Sequence, residues 1–198
     1  KNKILLTCIT PAARRYCLKA YSSEITNRNL NISYMPLDFP IFYKQFFKRF
    51  KPKLCLIAEQ EIWPMLLFET SRNAIPTFLI NSQMTDRGIK KVAWISYLFG
   101  HSVGLAEGVF AKSRNSAKNF KILGAKNIKV TGEFRFDQEI PENLVKAGKK
   151  IKAHSFLQNK QIFIFYSVGL EEAELYIKAV NQIISKAKKR NDPKPFFI

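Results

Sequence analysis

The chain has 198 residues, 46% of them hydrophobic and 24% charged, and this balance excludes a disordered chain because it supplies enough apolar side chains for a buried core. Its 33 lysines and arginines outweigh 15 acidic residues, giving a formal net charge of +18. Such a charge favours an anionic partner such as phosphate, nucleic acid or an acidic membrane surface, although lysines scattered over a solvated surface produce the same count.

Short apolar runs alternate with longer amphipathic segments along the chain. Runs that predict strands lie at residues 4–10, 54–58, 77–81, 108–113, 128–132 and 162–167. After the first run, Tyr43, Phe46, Phe47 and Phe50 recur at helical spacing, which predicts a helix with its aromatic face in the core. Strand and helix alternation predicts an α/β fold with a Rossmann-like, parallel, doubly wound sheet, whose ligands bind at the carboxyl ends of the strands.

Two acidic residues follow the second predicted strand. Glu59 and Glu61 lie between Ala58 and a helical segment that begins at Pro64, where proline is tolerated in the first helical turn. Carboxylates at this place offset the positive end of the helix dipole. Alternatively, one of them accepts hydrogen bonds from sugar hydroxyls or from a basic side chain that binds substrate.

Other polar side chains also follow or end predicted strands. Because the carboxyl ends of parallel strands share one edge of a sheet, we expect the side chains of Glu59, Asn81 and Arg135 to converge there. Arg14, which follows the first strand, is expected nearby.

The cysteines and histidines indicate neither disulfides nor metal. Cys8, Cys17 and Cys55 lie in or beside apolar runs without metal-ligand spacing, which favours a reduced compartment and therefore the cytoplasm. His101 and His154 have no Cys or acidic residue at ligand spacing. No segment approaches the roughly 20 apolar residues of a membrane-spanning helix, so any membrane contact is expected to be peripheral.

Five segments occur in a specific order: YMPLDFP (34–40), AEQEIWPMLL (58–67), IPTFLINSQMTDRG (75–88), VFAKSRNSAKNFKILGAKNIKVTGEFRFD (109–137) and YSVGLEEAE (166–174). Together they resemble the Kdo transferases, the 3-deoxy-D-manno-octulosonic acid transferases of lipopolysaccharide assembly. The resemblance implies a GT-B glycosyltransferase with two Rossmann-like domains that transfers Kdo from CMP-Kdo to a phosphorylated lipid A precursor. It implies inversion of configuration, no cofactor and no metal in the active site.

The resemblance also implies roles for particular residues of the first domain. Glu59 and Glu61 match the family's E-x-E-x-W-P-N motif, with Met65 in place of its Asn. In the G-N-x-K-F-D motif, Glu133 replaces Asn and Arg135 replaces Lys, which keeps a positive charge for phosphate but changes its geometry. The predicted acceptor-binding residues are Arg14, Glu59, Glu61, Asn81 and Arg87.

The donor side departs further from the family pattern S-T-H-P-G-E-E. Ser167 and Glu172 match its first and last residues and are predicted to bind donor, but the His is absent. The family's general base is a Glu in a Gly-Glu motif ahead of the strand that begins here at Ile4. No residue of this chain is therefore predicted as catalytic base, Glu59 and Arg135 are predicted to support catalysis, and the chain alone is predicted to be inactive.

These inferences predict the domains and partners of the chain. Residues 1–140 are predicted to form an acceptor-side domain lacking its first segment, residues 141–160 a linker or helix, and residues 161–198 the start of a donor-binding domain. The expected partners are the lipid A precursor, CMP-Kdo and the anionic cytoplasmic face of a bacterial inner membrane, without nucleic acid. Two alternatives stay open: a degenerate, non-catalytic relative, and a basic nucleic-acid-binding module.

Overall fold

The structure, a computed structural model, describes residues 3–90 and 102–198. It divides the chain into two compact units, Lys1–Asp137 and Gln138–Ile198. Each unit combines helices with strands that pair in parallel, so the predicted α/β fold class is confirmed. The assignment of the two units to an acceptor and a donor domain stays a prediction.

The described part of the first unit contains two parallel sheets. The smaller sheet pairs β1 (Ile4–Cys8) with β2 (Leu30–Tyr34), and the larger has the order β3 (Cys55–Ala58), β4 (Thr77–Ser82), β5 (Gly108–Ala111) and β6 (Ile128–Val130). The connecting helices are α1 (Pro11–Ala20), α2 (Ser22–Thr26), α3 (Pro40–Phe50), α4 (Pro64–Arg72) and α5 (Arg114–Ile122). Residues 86–90 are helical as well.

The division into two sheets falls between β1 and β3. In the doubly wound order 2-1-3-4-5, these are the two strands on either side of the switch point, where ligands bind in folds of this kind. The apolar runs predict strands, but they do not reveal which strand edges exchange hydrogen bonds.

The core of the first unit lies between the larger sheet and helices α3 to α5. Tyr43 and Phe47 of α3 are buried, and Phe46 packs partly buried against the same core, which confirms the predicted aromatic stripe. Each large apolar side chain buried in this way contributes about 1.5–3 kcal/mol. The other large buried members are Ile57, Leu66, Leu67, Ile75, Leu79, Met84, Val103, Val109, Phe120 and Leu123.

Asp38 connects the loop before α3 to the start of α4. Its carboxylate accepts hydrogen bonds from the backbone N–H groups of Met65 (3.2 Å) and Leu66 (3.1 Å) and from the hydroxyl of Tyr43 (3.0 Å). These N–H groups belong to the first turn of α4, which begins at Pro64 as predicted, so Asp38 caps that helix from a distant part of the chain. Burial, together with the Asp38 charge, raises the pKa of Tyr43 well above its usual value.

The second unit contains helices α6 (Glu142–Lys152) and α7 (Ala173–Arg190) and a short parallel sheet of β7 (Ile162–Phe163) and β8 (Phe196–Phe197). The rings of Phe163 and Phe165 lie 5.5 and 6.0 Å from that of Phe197, which makes an aromatic cluster beside these strands. In the described residues of both units, every helix is too short or too polar to cross a membrane.

Candidate functional site

Four neighbouring parallel strands each deliver one polar side chain to the same edge of the larger sheet. Glu59 follows β3, Asn81 is the fifth residue of β4, Lys112 follows β5, and Glu133 lies just beyond β6. We call these four residues, together with Arg135, the charged cluster. Strand direction and register explain the meeting, because β3 to β6 are all parallel and their carboxyl ends lie side by side.

Asn81 holds the charged cluster together from its centre. Its side-chain Nδ2 donates hydrogen bonds to Glu59 Oε1 (2.8 Å) and Glu133 Oε1 (3.0 Å), and its Oδ1 accepts from the N–H of Phe134 (3.1 Å). Both amide hydrogens are therefore used inside the protein. Since Asn81 is also buried, the structure gives it an organising position between the two carboxylates.

The two cations of the charged cluster differ in how tightly they are paired. Lys112 Nζ lies 2.6 Å from Glu59 Oε2 and 2.7 Å from Glu133 Oε2, and its side chain is only 10% exposed. Arg135 comes no nearer than 4.0 Å to Glu59 and 3.9 Å to Glu133, and its side chain is 73% exposed. The first pair of distances corresponds to charge-assisted hydrogen bonds, whereas the second is too long for hydrogen bonding.

The backbone of the charged cluster is held in an unusual conformation. Glu59 and Asn81 both have left-handed φ angles, of 68° and 49°, and Gly132, directly before Glu133, has φ 86°. For residues other than glycine this region costs about 1–3 kcal/mol, less for Asn, and seven described non-glycine residues outside the charged cluster also adopt it. The hydrogen bonds of Glu59 and Asn81 offset this cost.

The pKa values of Glu133 and Lys112 keep these two side chains of the charged cluster charged at neutral pH. Hydrogen bonds from Lys112 and then Asn81 lower the pKa of Glu133 to about 2. The same contacts, to Glu133 first and then to Glu59, raise the pKa of Lys112 above its usual value. Glu133 is therefore an anion and Lys112 a cation at neutral pH.

The structure brings together three of the residues predicted to converge, Glu59, Asn81 and Arg135. Arg14 has a different neighbour, because its guanidinium lies 5.3 Å from the centre of the Tyr34 ring. Among the described residues, no ion pair or hydrogen bond joins Arg14 to the charged cluster. Its predicted role in acceptor binding stays a prediction.

The remaining predicted residues are exposed and lie outside the charged cluster. Glu61 Oε2 accepts a hydrogen bond from the indole of Trp63 (2.8 Å), and Arg87 belongs to the helical residues 86–90. In the second unit, Ser167 has a left-handed φ of 57°, and Glu172 accepts only a long hydrogen bond from a backbone N–H. Their predicted acceptor and donor contacts stay predictions.

Sequence reasoning missed Lys112 and the helix cap. Lys112 directly follows the observed strand β5, as Glu59 follows β3, but the predicted strand 108–113 extends past it and so places Lys112 inside the strand. The helix-dipole interpretation of Glu59 and Glu61 stays a prediction, although the N–H groups of Met65 and Leu66 in the first turn of α4 donate their hydrogen bonds to Asp38. Only a long-range contact reveals such a cap.

No group of three potential metal ligands occurs within residues 3–90 and 102–198. His154 accepts a hydrogen bond from the N–H of Phe156 at 3.3 Å, whereas His101 lies outside the described residues. The thiols of Cys8 and Cys17 are 3.9 Å apart and free, and burial raises the pKa of Cys8.

Comparison with known proteins links the first unit to a family. The family model described as 3-deoxy-D-manno-octulosonic-acid transferase (kdotransferase) matches residues 1–138. Two similar curated relatives, both named 3-deoxy-D-manno-octulosonic acid transferase, come from Bordetella pertussis (23% identical, covering 98% of this chain) and Aquifex aeolicus (27% identical, covering 92%). The chain spans 44% of the length of each of these relatives.

A solved structure supports the fold. The UDP-GlcNAc 2-epimerase from Neisseria meningitidis matches all of this chain over 57% of its own length, with a TM-score of 0.54 and 14% identity. At that identity the likeness concerns the fold alone. The family match, by contrast, covers more than two thirds of the chain, and the chain belongs to the 3-deoxy-D-manno-octulosonic-acid transferase (kdotransferase) family.

Proposed function

We propose that the whole protein transfers Kdo from CMP-Kdo to a phosphorylated lipid A precursor during assembly of the lipopolysaccharide inner core, and that this chain supplies the acceptor side. The observation that carries the proposal is the family match over residues 1–138, because this range nearly coincides with the first compact unit. The charged cluster lies within that unit, at the sheet edge where doubly wound folds bind ligands.

The chemistry of the charged cluster supports binding of an anion more than proton transfer. A general base works best when its pKa lies near the operating pH, and the pKa of Glu133 is lowered to about 2. Glu59 is held by hydrogen bonds to Lys112 and Asn81. Arg135 keeps an exposed guanidinium for a phosphate or carboxylate of substrate. The base is then expected from a segment upstream of β1, and this chain alone should not turn over.

A peripheral position on the cytoplasmic face of a bacterial inner membrane completes the proposal. Phe39 and Ile41, at the start of α3, are each 61% exposed, and Lys44 and Lys48 of the same helix add positive charge. Exposed apolar side chains beside basic ones suit an interface of anionic lipid. The phosphorylated acceptor resides in such a membrane.

A chimera tests the proposed activity. Residues 1–138 of this chain replace the matched segment of the Aquifex aeolicus relative, which supplies both flanking segments. We expect mass spectrometry to show a Kdo adduct of the lipid A precursor when CMP-Kdo is added. Glu59→Gln in the chimera should lower the rate, and residues 1–198 alone should give no product.

The same experiment separates the enzyme from a degenerate relative. Folding of the chimera is checked by circular dichroism, and donor binding by titration with CMP-Kdo. A chimera that folds and binds CMP-Kdo but forms no adduct would contradict the proposed activity and favour the non-catalytic relative.

A further inference from the structure

Lys112 and Arg135 lie beside the same two carboxylates but are used differently. The Lys112 ammonium makes short bonds to Glu59 and Glu133 (2.6 and 2.7 Å) and is almost enclosed. Arg135 stays about 4 Å from both and is largely exposed. Lys112 therefore satisfies the carboxylates, and Arg135 keeps its donors available.

The difference between the contacts of Lys112 and those of Arg135 depends on charge balance. Two carboxylates brought together by Asn81 repel one another unless a cation lies between them, and Lys112 occupies that place. Without Lys112, Arg135 is the other cation that the described residues pair with these carboxylates, and it needs to move only about 1 Å to reach hydrogen-bonding distance of either one. The planar guanidinium fork is well suited to such a pair.

We propose that Lys112 is a positioning residue, which neutralises Glu59 and Glu133 and thereby leaves Arg135 free to bind a phosphate group of the substrate. The identity of the substrate rests on the proposed function. The effect of Lys112 on Arg135 does not, because it follows from the contacts of Lys112 and Arg135 with the two carboxylates.

The first test observes Arg135 directly, without ligand. In the 198-residue chain, the Nε–H resonance of Arg135 is assigned by its loss in Arg135→Lys. We expect Lys112→Met to shift this resonance and slow its exchange with water, because Arg135 then pairs with the carboxylates. Lys112→Arg should restore the wild-type signal. Lys121→Met, which removes the same charge from the exposed end of α5, should change nothing.

An unchanged Arg135 resonance in folded Lys112→Met would overturn the proposal. If that variant does not fold, Glu133→Gln is compared with the double variant Lys112→Met/Glu133→Gln. In the single variant Lys112 still holds Glu59 and Arg135 stays free. In the double variant Arg135 should shift toward Glu59, and the absence of that shift contradicts the proposal equally.

The second test asks whether Lys112 affects ligand binding through Arg135. Lys112→Met, Arg135→Ala and the double variant are titrated separately with phosphorylated lipid A precursor and with CMP-Kdo, to decide which phosphate Arg135 binds. We expect Lys112→Met to weaken binding of one of them about tenfold, the loss of one charge-assisted hydrogen bond, with no further loss in the Arg135→Ala background.

The outcomes of the titrations separate the two proposals. Additive losses would mean that Lys112 contacts the ligand itself, which overturns its positioning role. Suppose that the wild-type chain binds neither ligand while Arg135 responds to Lys112→Met as expected. The prediction that this chain binds acceptor or donor is then wrong, and the positioning role of Lys112 stands.

Discussion

At the scale of single residues, Asn81 organises the charged cluster, because its amide donates to both carboxylates while its oxygen accepts from the backbone. Asn81→Asp would replace two donors with an acceptor that faces Glu59 and Glu133. We expect the free energy of unfolding to fall by about 3 kcal/mol, because the change places a buried carboxylate against Glu59 and Glu133 and removes the amide that donates to both. Chemical denaturation measures this loss.

The matched control for this change is Asn159→Asp. Asn159 also has a left-handed φ, of 60°, but it is exposed in the second unit. The same substitution there should leave the unfolding midpoint unchanged. Equal effects at the two positions would contradict the organising position of Asn81.

A second residue-scale prediction concerns acid stability. The pKa of Glu133 is lowered from 4.5 to about 2, so its contribution to stability is fully present above pH 4.5 and is lost as the pH falls through 2. Wild type should therefore be more stable than Glu133→Gln at neutral pH, and the difference should disappear between pH 4.5 and 2. Urea unfolding at a series of pH values measures it. A difference that persists at pH 2 would contradict the pairing with Lys112.

Part of the charged cluster follows from sequence. Ligand-binding side chains follow the carboxyl ends of parallel strands, and this rule correctly places Glu59 and Asn81 at the same edge of the sheet. It applies equally to Lys112, which an overlong strand prediction concealed. The rule also applies to Glu133, which directly follows the predicted strand 128–132, although the observed β6 ends at Val130 and a left-handed Gly132 lies between them.

At the scale of elements, Asp38 fixes the start of α4 against the loop before α3. Asp38→Ala would leave two helix N–H groups and the Tyr43 hydroxyl without this partner. We expect it to cost about 2 kcal/mol of unfolding free energy, more than the roughly 1 kcal/mol of a usual cap because Tyr43 is buried. Asp192→Ala, at an exposed position of the second unit, is the matched control. Equal melting temperatures for the two variants would refute the capping account.

Strand β2 is not predicted from the sequence. Residues Leu30–Tyr34 alternate apolar and polar side chains, as an edge strand with one solvated face does, so they form no continuous apolar run that would predict this strand. The buried strands β4 and β5 were found because both of their faces are apolar.

At the scale of the whole molecule, the ordered segments predict the family, and the match over residues 1–138 confirms it. The division of the first unit into two sheets was not predictable, because hydrogen bonding between strand edges depends on contacts distant in sequence. Net charge also leaves the partner open, since +18 suits both a phosphorylated glycolipid and nucleic acid.

The most direct test of acceptor binding is a titration of the 198-residue chain at near-physiological salt with phosphorylated lipid A precursor, dephosphorylated precursor and a random oligonucleotide. We expect the phosphorylated lipid to bind more tightly than its dephosphorylated form, because basic side chains lose charge-assisted hydrogen bonds when phosphate is removed. Arg135→Ala should reduce this preference without unfolding the chain. Equal binding of both lipids, with tighter and steeply salt-dependent binding of the oligonucleotide, would contradict the account and favour a nucleic-acid-binding module.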